Sequence, residues 1–125
     1  MQNEFGRVKA VFQELKNALH HLRKTGETYT IYVENTGLTM EEQVEVLETL
    51  GRGDVTIHLK DTDQPVEWYE STIRGVWIGT FRNGRDEAIL YTIEVCRYPE
   101  LAGAYDEDII GGEADLQEWI EAADL

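Results

Sequence analysis

The chain has 125 residues, with 25 acidic side chains against 11 basic ones and a formal net charge of −14 at pH 7. That excess repels phosphate backbones and argues against nucleic-acid binding. The length and the ordinary apolar and charged fractions predict one globular domain over residues 1–125, and no apolar run approaches a membrane span.

Residues 3–24 predict a long amphipathic helix. Phe5, Val8, Phe12, Leu15, Leu19 and Leu22 recur at spacings of three and four, Val11 and Ala18 widen the stripe, and Gly26 is a stop. This N-terminal stretch has acidic and polar residues where a secretory leader needs an unbroken apolar run, so a cytoplasmic protein is expected. It is also basic, carrying Arg7, Lys9, Lys16, Arg23 and Lys24 against Glu4 and Glu14. Thr28–Val33 is β-branched and aromatic and predicts a strand.

Thr39 is an N-cap candidate, and Glu42 three residues on completes a capping box for a helix from Met40 to Leu50. Val44, Leu47 and Leu50, with Val46 beside them, form its apolar side; Glu41, Glu42, Glu45 and Glu48 form the other. Gly51 and Gly53 end it.

Four strands are predicted next. Asp54–Lys60 alternates, with Val55, Ile57 and Leu59 on one face. Val66–Ile73 and Gly75–Phe81 flank Arg74-Gly75. Asn83-Gly84 is a hairpin signal before Ala88–Arg97, and Pro99 ends that strand. Glu100–Ala104 fits a helical turn. Gly111-Gly112 reads as a flexible break before an acidic helix with Leu116, Trp119, Ile120 and Ala123. Residues 105–125 are therefore either an acidic tail or a docked C-terminal helix. The order predicts an α+β fold, an antiparallel sheet of four to five strands with helices packed mainly on one face.

Reactive groups are sparse. Cys96 is the single cysteine and is expected to be a buried structural thiol. His20 and His21 are adjacent on a helix and point about 100° apart, so they do not chelate; His58 is on the polar side of its strand. No metal site and no cofactor are expected. Asp106-Glu107-Asp108 lacks the spacing of a calcium loop. Leu50-Gly51-Arg52-Gly53 follows a helix and precedes a strand, the reverse of a dinucleotide fingerprint.

The aromatic residues carry more. On Gly75–Phe81, Trp77, Gly79 and Phe81 share one face and Val76 and Ile78 the other. With Val76 and Ile78 toward the helices, Trp77 and Phe81 line the opposite face, with a hollow at Gly79. Two arrangements are open: an exposed partner-binding surface of Trp68, Arg74, Trp77 and Phe81, or burial of both faces.

Two segments carry a family resemblance. Leu50-Gly51-Arg52-Gly53-Asp54-Val55 and Glu70-Ser71-Thr72-Ile73-Arg74-Gly75-Val76-Trp77 resemble the conserved C-terminal region of the HupH/HyaF hydrogenase expression/formation proteins. Arg74 departs from that pattern, standing where a proline or another residue often precedes Gly-Val-Trp. The resemblance implies an accessory role in assembling a membrane-bound nickel–iron uptake hydrogenase, and the lack of a P-loop, a G-x-S-x-G elbow or a His partner for Ser71 and Thr72 makes an enzyme unexpected. The resemblance implies as partner the iron–sulfur small subunit or a fellow maturation protein. Two other readings stand beside it: a small enzyme or ligand-binding domain using a pocket near Arg74, Glu70 and Cys96, and a module that self-associates as a homodimer.

Overall fold

The computed structural model describes residues 2–123 and the side chains of residues 6–123. In chain order the elements are α1 (Gln2–Thr25), β1 (Tyr29–Tyr32), a 3-10 turn (Val33–Asn35), α2 (Met40–Leu50), β2 (Thr56–Leu59), β3 (Val66–Glu70), β4 (Val76–Arg82), β5 (Ala88–Val95), a second 3-10 turn (Glu100–Ala102) and α3 (Asp106–Ala122). The strands form one antiparallel sheet in the order β1-β5-β4-β3-β2. β2 to β5 are a meander because each connection is short; β1 adds to its far edge beside β5. The fold is α+β, as the sequence predicts.

α1 and α2 cover the inner face of the sheet. Val8, Val11, Leu15, Ala18 and Leu22 of α1 are buried against Val46 and Leu50 of α2 and against Ile31, Val76, Ile78, Ile93 and Val95 of the sheet. The α1 seam is centred on Val11 and Ala18, while Phe12 and Leu19 are half-buried at its border. Phe5 lies outside the described side chains. On α2 the seam is Val46 and Leu50; Val44 is 49% exposed.

Glu42 departs from the solvent-facing side expected for it, because it closes the α1–α2 contact. Its backbone N–H donates to Thr39 Oγ1 at 3.1 Å, and its carboxylate accepts the Thr39 N–H at 2.8 Å. The same carboxylate meets the Arg7 guanidinium at 3.0 Å. One buried side chain thus completes the capping box and ties the two helices together.

β3 ends at Glu70, short of the predicted Ile73, and residues 71–75 turn the chain into β4. β5 likewise ends at Val95. α3 runs through Gly111 and Gly112, which are helical and not a break. Its first turn holds Asp106, Glu107 and Asp108, acids that favour the positive end of a helix dipole, and Asp108 accepts the Tyr105 N–H at 3.0 Å. α3 is acidic and helical over Asp106–Ala122, and none of its residues is buried.

Candidate functional site: the outer face of the sheet

Strand alternation puts Ile57, Leu59, Val66, Trp68, Glu70, Trp77, Gly79, Phe81, Leu90, Thr92, Glu94 and Cys96 on the face away from α1 and α2. Val76 and Ile78 face the helices, as expected. Of the two arrangements left open for the opposite face, burial holds at both tryptophans, so they are not part of an exposed partner-binding surface. Trp68 is fully buried and Trp77 is 3% exposed. They form a second core with Val66 and Cys96, bordered by Ile57, Leu59 and Phe81.

The chain beyond β5 supplies the cover. Pro99 is buried, and the 3-10 turn Glu100–Ala102 packs against β2, across the sheet from β5. The segment 97–103 is therefore a strap over the outer face. Both indoles are satisfied beneath it. Trp77 Nε1 donates to the Cys96 carbonyl at 3.1 Å, and Trp68 Nε1 donates to Glu94 Oε2 at 3.0 Å. Trp68 and Phe81 meet edge to face with centroids 6.2 Å apart. Neither tryptophan is available to touch a partner; Phe81 is half-buried and Arg74 is exposed.

Between strap and sheet lies a cavity of about 300 Å³. Its walls include Tyr32, Phe81, Leu90 and Leu101, and its floor includes Thr92 and Glu94. Thr92 Oγ1 donates to Glu94 Oε2 at 2.7 Å, so that oxygen serves both Thr92 and Trp68. Glu94 Oε1 accepts no side-chain hydrogen bond among the described residues. The lining also includes Thr28, Thr30, Gln64 and Glu100, and a carboxylate fixed by two neutral donors in such a mixed hollow, with a second carboxylate on its rim, attracts a cationic group. The hollow expected at Gly79 is filled by this network: a Cβ there would stand 2.4 Å from Thr92 Oγ1 and 3.0 Å from Glu94 Oε2.

Cys96 lines the same cavity. Burial pushes its thiol up to about 12, with Glu94, Glu100 and Glu70 adding to the shift, so it is protonated and a poor nucleophile. It does not line the cavity that holds Glu70 and Arg74. Cys96 therefore opens on a different cavity from Glu70 and Arg74, although Glu70 is close enough to act on its thiol. Glu70 is buried; its Oε2 accepts the Gly75 N–H at 2.9 Å, and Arg74 Nε stands 2.8 Å from Oε1. His20 hydrogen-bonds Arg23, His21 pairs with Glu27, and His58 pairs with Glu67, all at the surface. Among the described residues no group of three or more His, Cys, Asp or Glu side chains is placed to hold a metal ion.

The two motif segments lie side by side at one end of the sheet. Gly53 N–H donates to the Glu70 carbonyl at 2.7 Å, and Glu70 N–H donates to the Val55 carbonyl at 2.8 Å. Thr72 gives both its N–H and its hydroxyl to the Leu50 carbonyl, at 2.9 and 2.7 Å. Ser71 is fully buried; its hydroxyl donates to the Ile73 carbonyl and its N–H to the Val76 carbonyl. Arg52 places its guanidinium 4.2 Å from the centre of the Tyr69 ring. Asp54 is exposed and Val55 is 37% exposed, so Val55 serves through its backbone and not as a core residue. The motif is a clamp between the end of α2 and the β3–β4 turn.

A two-helix cover, a five-stranded antiparallel sheet and this clamp define the class, an α+β module with its helices on one face. The family model described as "HupH hydrogenase expression protein, C-terminal conserved region" matches residues 7–123, and the chain belongs to that family. Among solved structures it is similar to hydrogenase expression protein HupH from Thiobacillus denitrificans, at 28% identity and a TM-score of 0.85, covering 94% of this chain and 98% of that one. No curated protein matches the chain. Membership assigns it a role in hydrogenase expression. Among the described residues no helix is long and apolar enough to cross a membrane.

Proposed function

We propose that this protein is a chaperone-like binding module in the maturation of a nickel–iron uptake hydrogenase, acting in the cytoplasm without catalysing a reaction. It holds an immature hydrogenase subunit, with the iron–sulfur small subunit as the first candidate, or a fellow maturation factor. The observation that carries this reading is the outer-face cavity, where Glu94 is fixed on the floor between the apolar side chains Phe81, Leu90 and Leu101. It suits an extended segment that pairs one basic side chain with apolar neighbours, and the strongly acidic surface steers such a segment in. The competing reading, an enzyme working at Arg74, Glu70 and Cys96, finds less support, since Cys96 is protonated and lines a different cavity from the other two.

The test is co-expression of the tagged protein with the hydrogenase small subunit, followed by affinity capture and mass spectrometry. Capture by the wild-type chain that is lost with Leu90→Asp, in a variant that still unfolds cooperatively, supports the reading. Capture of neither the small subunit nor a maturation factor, or capture indifferent to Leu90→Asp, overturns it.

A further inference from the structure

α3 does not pack on its own chain. Ile109, Leu116 and Ile120 are 53, 53 and 58% exposed, and Trp119 is 66% exposed. At about 100° per residue the first three fall on one stripe, and Glu113 falls on the same stripe between Ile109 and Leu116. A helix of 17 residues with two central glycines is marginal in water, because nucleation is costly and each glycine costs about 1 kcal/mol relative to alanine. Such a helix needs a surface to cover its apolar stripe, and that surface must also answer the carboxylate set within it. The helix holds seven acidic residues (Asp106, Glu107, Asp108, Glu113, Asp115, Glu118, Glu121) and no basic one.

The same molecule carries a complementary concavity. Beside the clamp, a cavity of about 570 Å³ is bordered by Leu19, His20, Arg23, Arg74 and Arg97, with buried Glu70 at its base. Arg74 lies 2.8 Å from Glu70 Oε1 without the alignment of a hydrogen bond, and neither Arg23 nor Arg97 forms an ion pair among the described residues. In a chain with 25 acidic side chains, three arginines gathered around one hollow are a local reversal of the overall field. Leu19 is half-buried in its wall, and Ile73, 47% exposed, precedes Arg74.

α3 buries no residue against this hollow in its own chain. Gly103–Tyr105 is all that joins it to the 3-10 turn packed on β2. Three extended residues reach about 10 Å, which ties the start of α3 to the neighbourhood of that turn. A second copy has no such restriction.

We propose that two copies of this chain exchange their C-terminal helices. Glu113 of each α3 pairs with Arg97 beside Arg23 and Arg74 of the other copy, and Ile109, Leu116 and Ile120 cover Leu19 and Ile73. The exchange is reciprocal, so a twofold dimer closes and no filament grows. This surface is separate from the outer-face cavity and does not depend on what that cavity binds.

Charge reversal of the full-length protein, read by sedimentation velocity at tens of micromolar, tests it. The wild-type chain is expected to be a dimer that dissociates in 1 M salt. Arg97→Glu and Glu113→Arg are each expected to be monomeric, with the dimer dissociation constant raised at least tenfold. An equimolar mixture of the two variants, and the double variant R97E/E113R, should both recover the dimer, because every pair is then again of opposite sign. Both positions are exposed, and circular dichroism of each variant confirms that it is folded. A monomeric wild-type chain would assign the cover of α3 to another molecule and overturn the proposal. So would a dimer indifferent to the single reversals.

Discussion

Gly53 lies against the backbone of Ser71 so closely that a Cβ at Gly53 would stand 2.7 Å from the Ser71 carbonyl oxygen. The contact is backbone to backbone, between the two segments that carry the family signature, and neither side has a flexible end that can yield.

Gly53→Ala is therefore expected to destabilise the domain by about 3 kcal/mol, the upper part of the range for single substitutions. The clash forces apart the Gly53–Glu70 hydrogen bond of 2.7 Å and, with it, the turn that starts β4. Urea denaturation against the wild-type chain measures it. Gly84→Ala is the control, since a Cβ there meets nothing within 4 Å.

Gly79 makes a different demand. An added methyl collides with Thr92 Oγ1, Glu94 Oε2 and Trp68 Cδ1, at 2.4, 3.0 and 3.1 Å, all side chains of one hydrogen-bonded group. Overpacking of this kind typically costs 1–3 kcal/mol, and about 2 kcal/mol is expected for Gly79→Ala. Thr92→Ala removes the nearest obstacle, so the double variant should lose less than the sum of the two single ones. Strict additivity in chemical denaturation would refute the proposed crowding.

The inner half of the molecule was legible in the sequence because its signals are local. The Val8–Leu22 stripe, the Thr39–Glu42 capping box and the Asn83-Gly84 turn each lie within one element or one connection. The outer face was not. Trp77 and Trp68 lie in a second core on the face crossed by residues 97–103, a strap whose return to β2 is a long-range contact with no periodicity of its own. Glu42 looked like one acid among four on a polar helix face, and only the approach of Arg7, 35 residues earlier, makes it a buried anchor. The motif was visible as a pattern, but its role as a clamp rests on backbone bonds between segments about 20 residues apart. Gly111-Gly112 reads as a break by propensity alone, and the helix passes through it.

Glu42 links stability to pH. The Thr39 N–H, and then Arg7, hold its carboxyl below the ordinary value of 4.5, with burial opposing them. A depressed native value means that the unfolded chain binds the proton first as pH falls. The stabilisation is complete above about 4.5, the unfolded value, and is lost as pH drops through the lower native one. Glu42→Gln, which keeps an acceptor for Thr39, should thus be less stable than wild type at pH 7 and approach it near pH 3. Urea midpoints at the two pH values measure this; a difference that stays constant or widens in acid contradicts the linkage.

Cys96 should be silent toward thiol reagents. With its value pushed up to about 12, the native thiolate fraction at pH 8 is far below that of an unfolded cysteine. Labelling by a chromogenic disulfide at pH 8 is expected to be slower in the native protein than in urea by about 1000-fold, the ratio of the two thiolate fractions. Rapid native labelling would mean that the strap opens, and the Leu90→Asp result would then have to be read on a mobile face.

Glu94→Gln separates architecture from charge on the outer face. A glutamine side-chain oxygen can still accept from Trp68 Nε1 and Thr92 Oγ1, now at 3.0 and 2.7 Å from the carboxylate oxygen, so the buried indole keeps its acceptor. Stability should change by less than about 1 kcal/mol, because no buried donor is orphaned. Partner capture should fall about tenfold or more, and the residual capture should lose most of its salt dependence, because the charge that selects a basic side chain is gone. Glu94→Ala is the contrast: it leaves Trp68 Nε1 without a partner and should lower stability as well as capture. If Glu94→Gln captures the partner as well as wild type does, Glu94 serves only to satisfy Trp68, and the basic-segment specificity of the cavity is excluded.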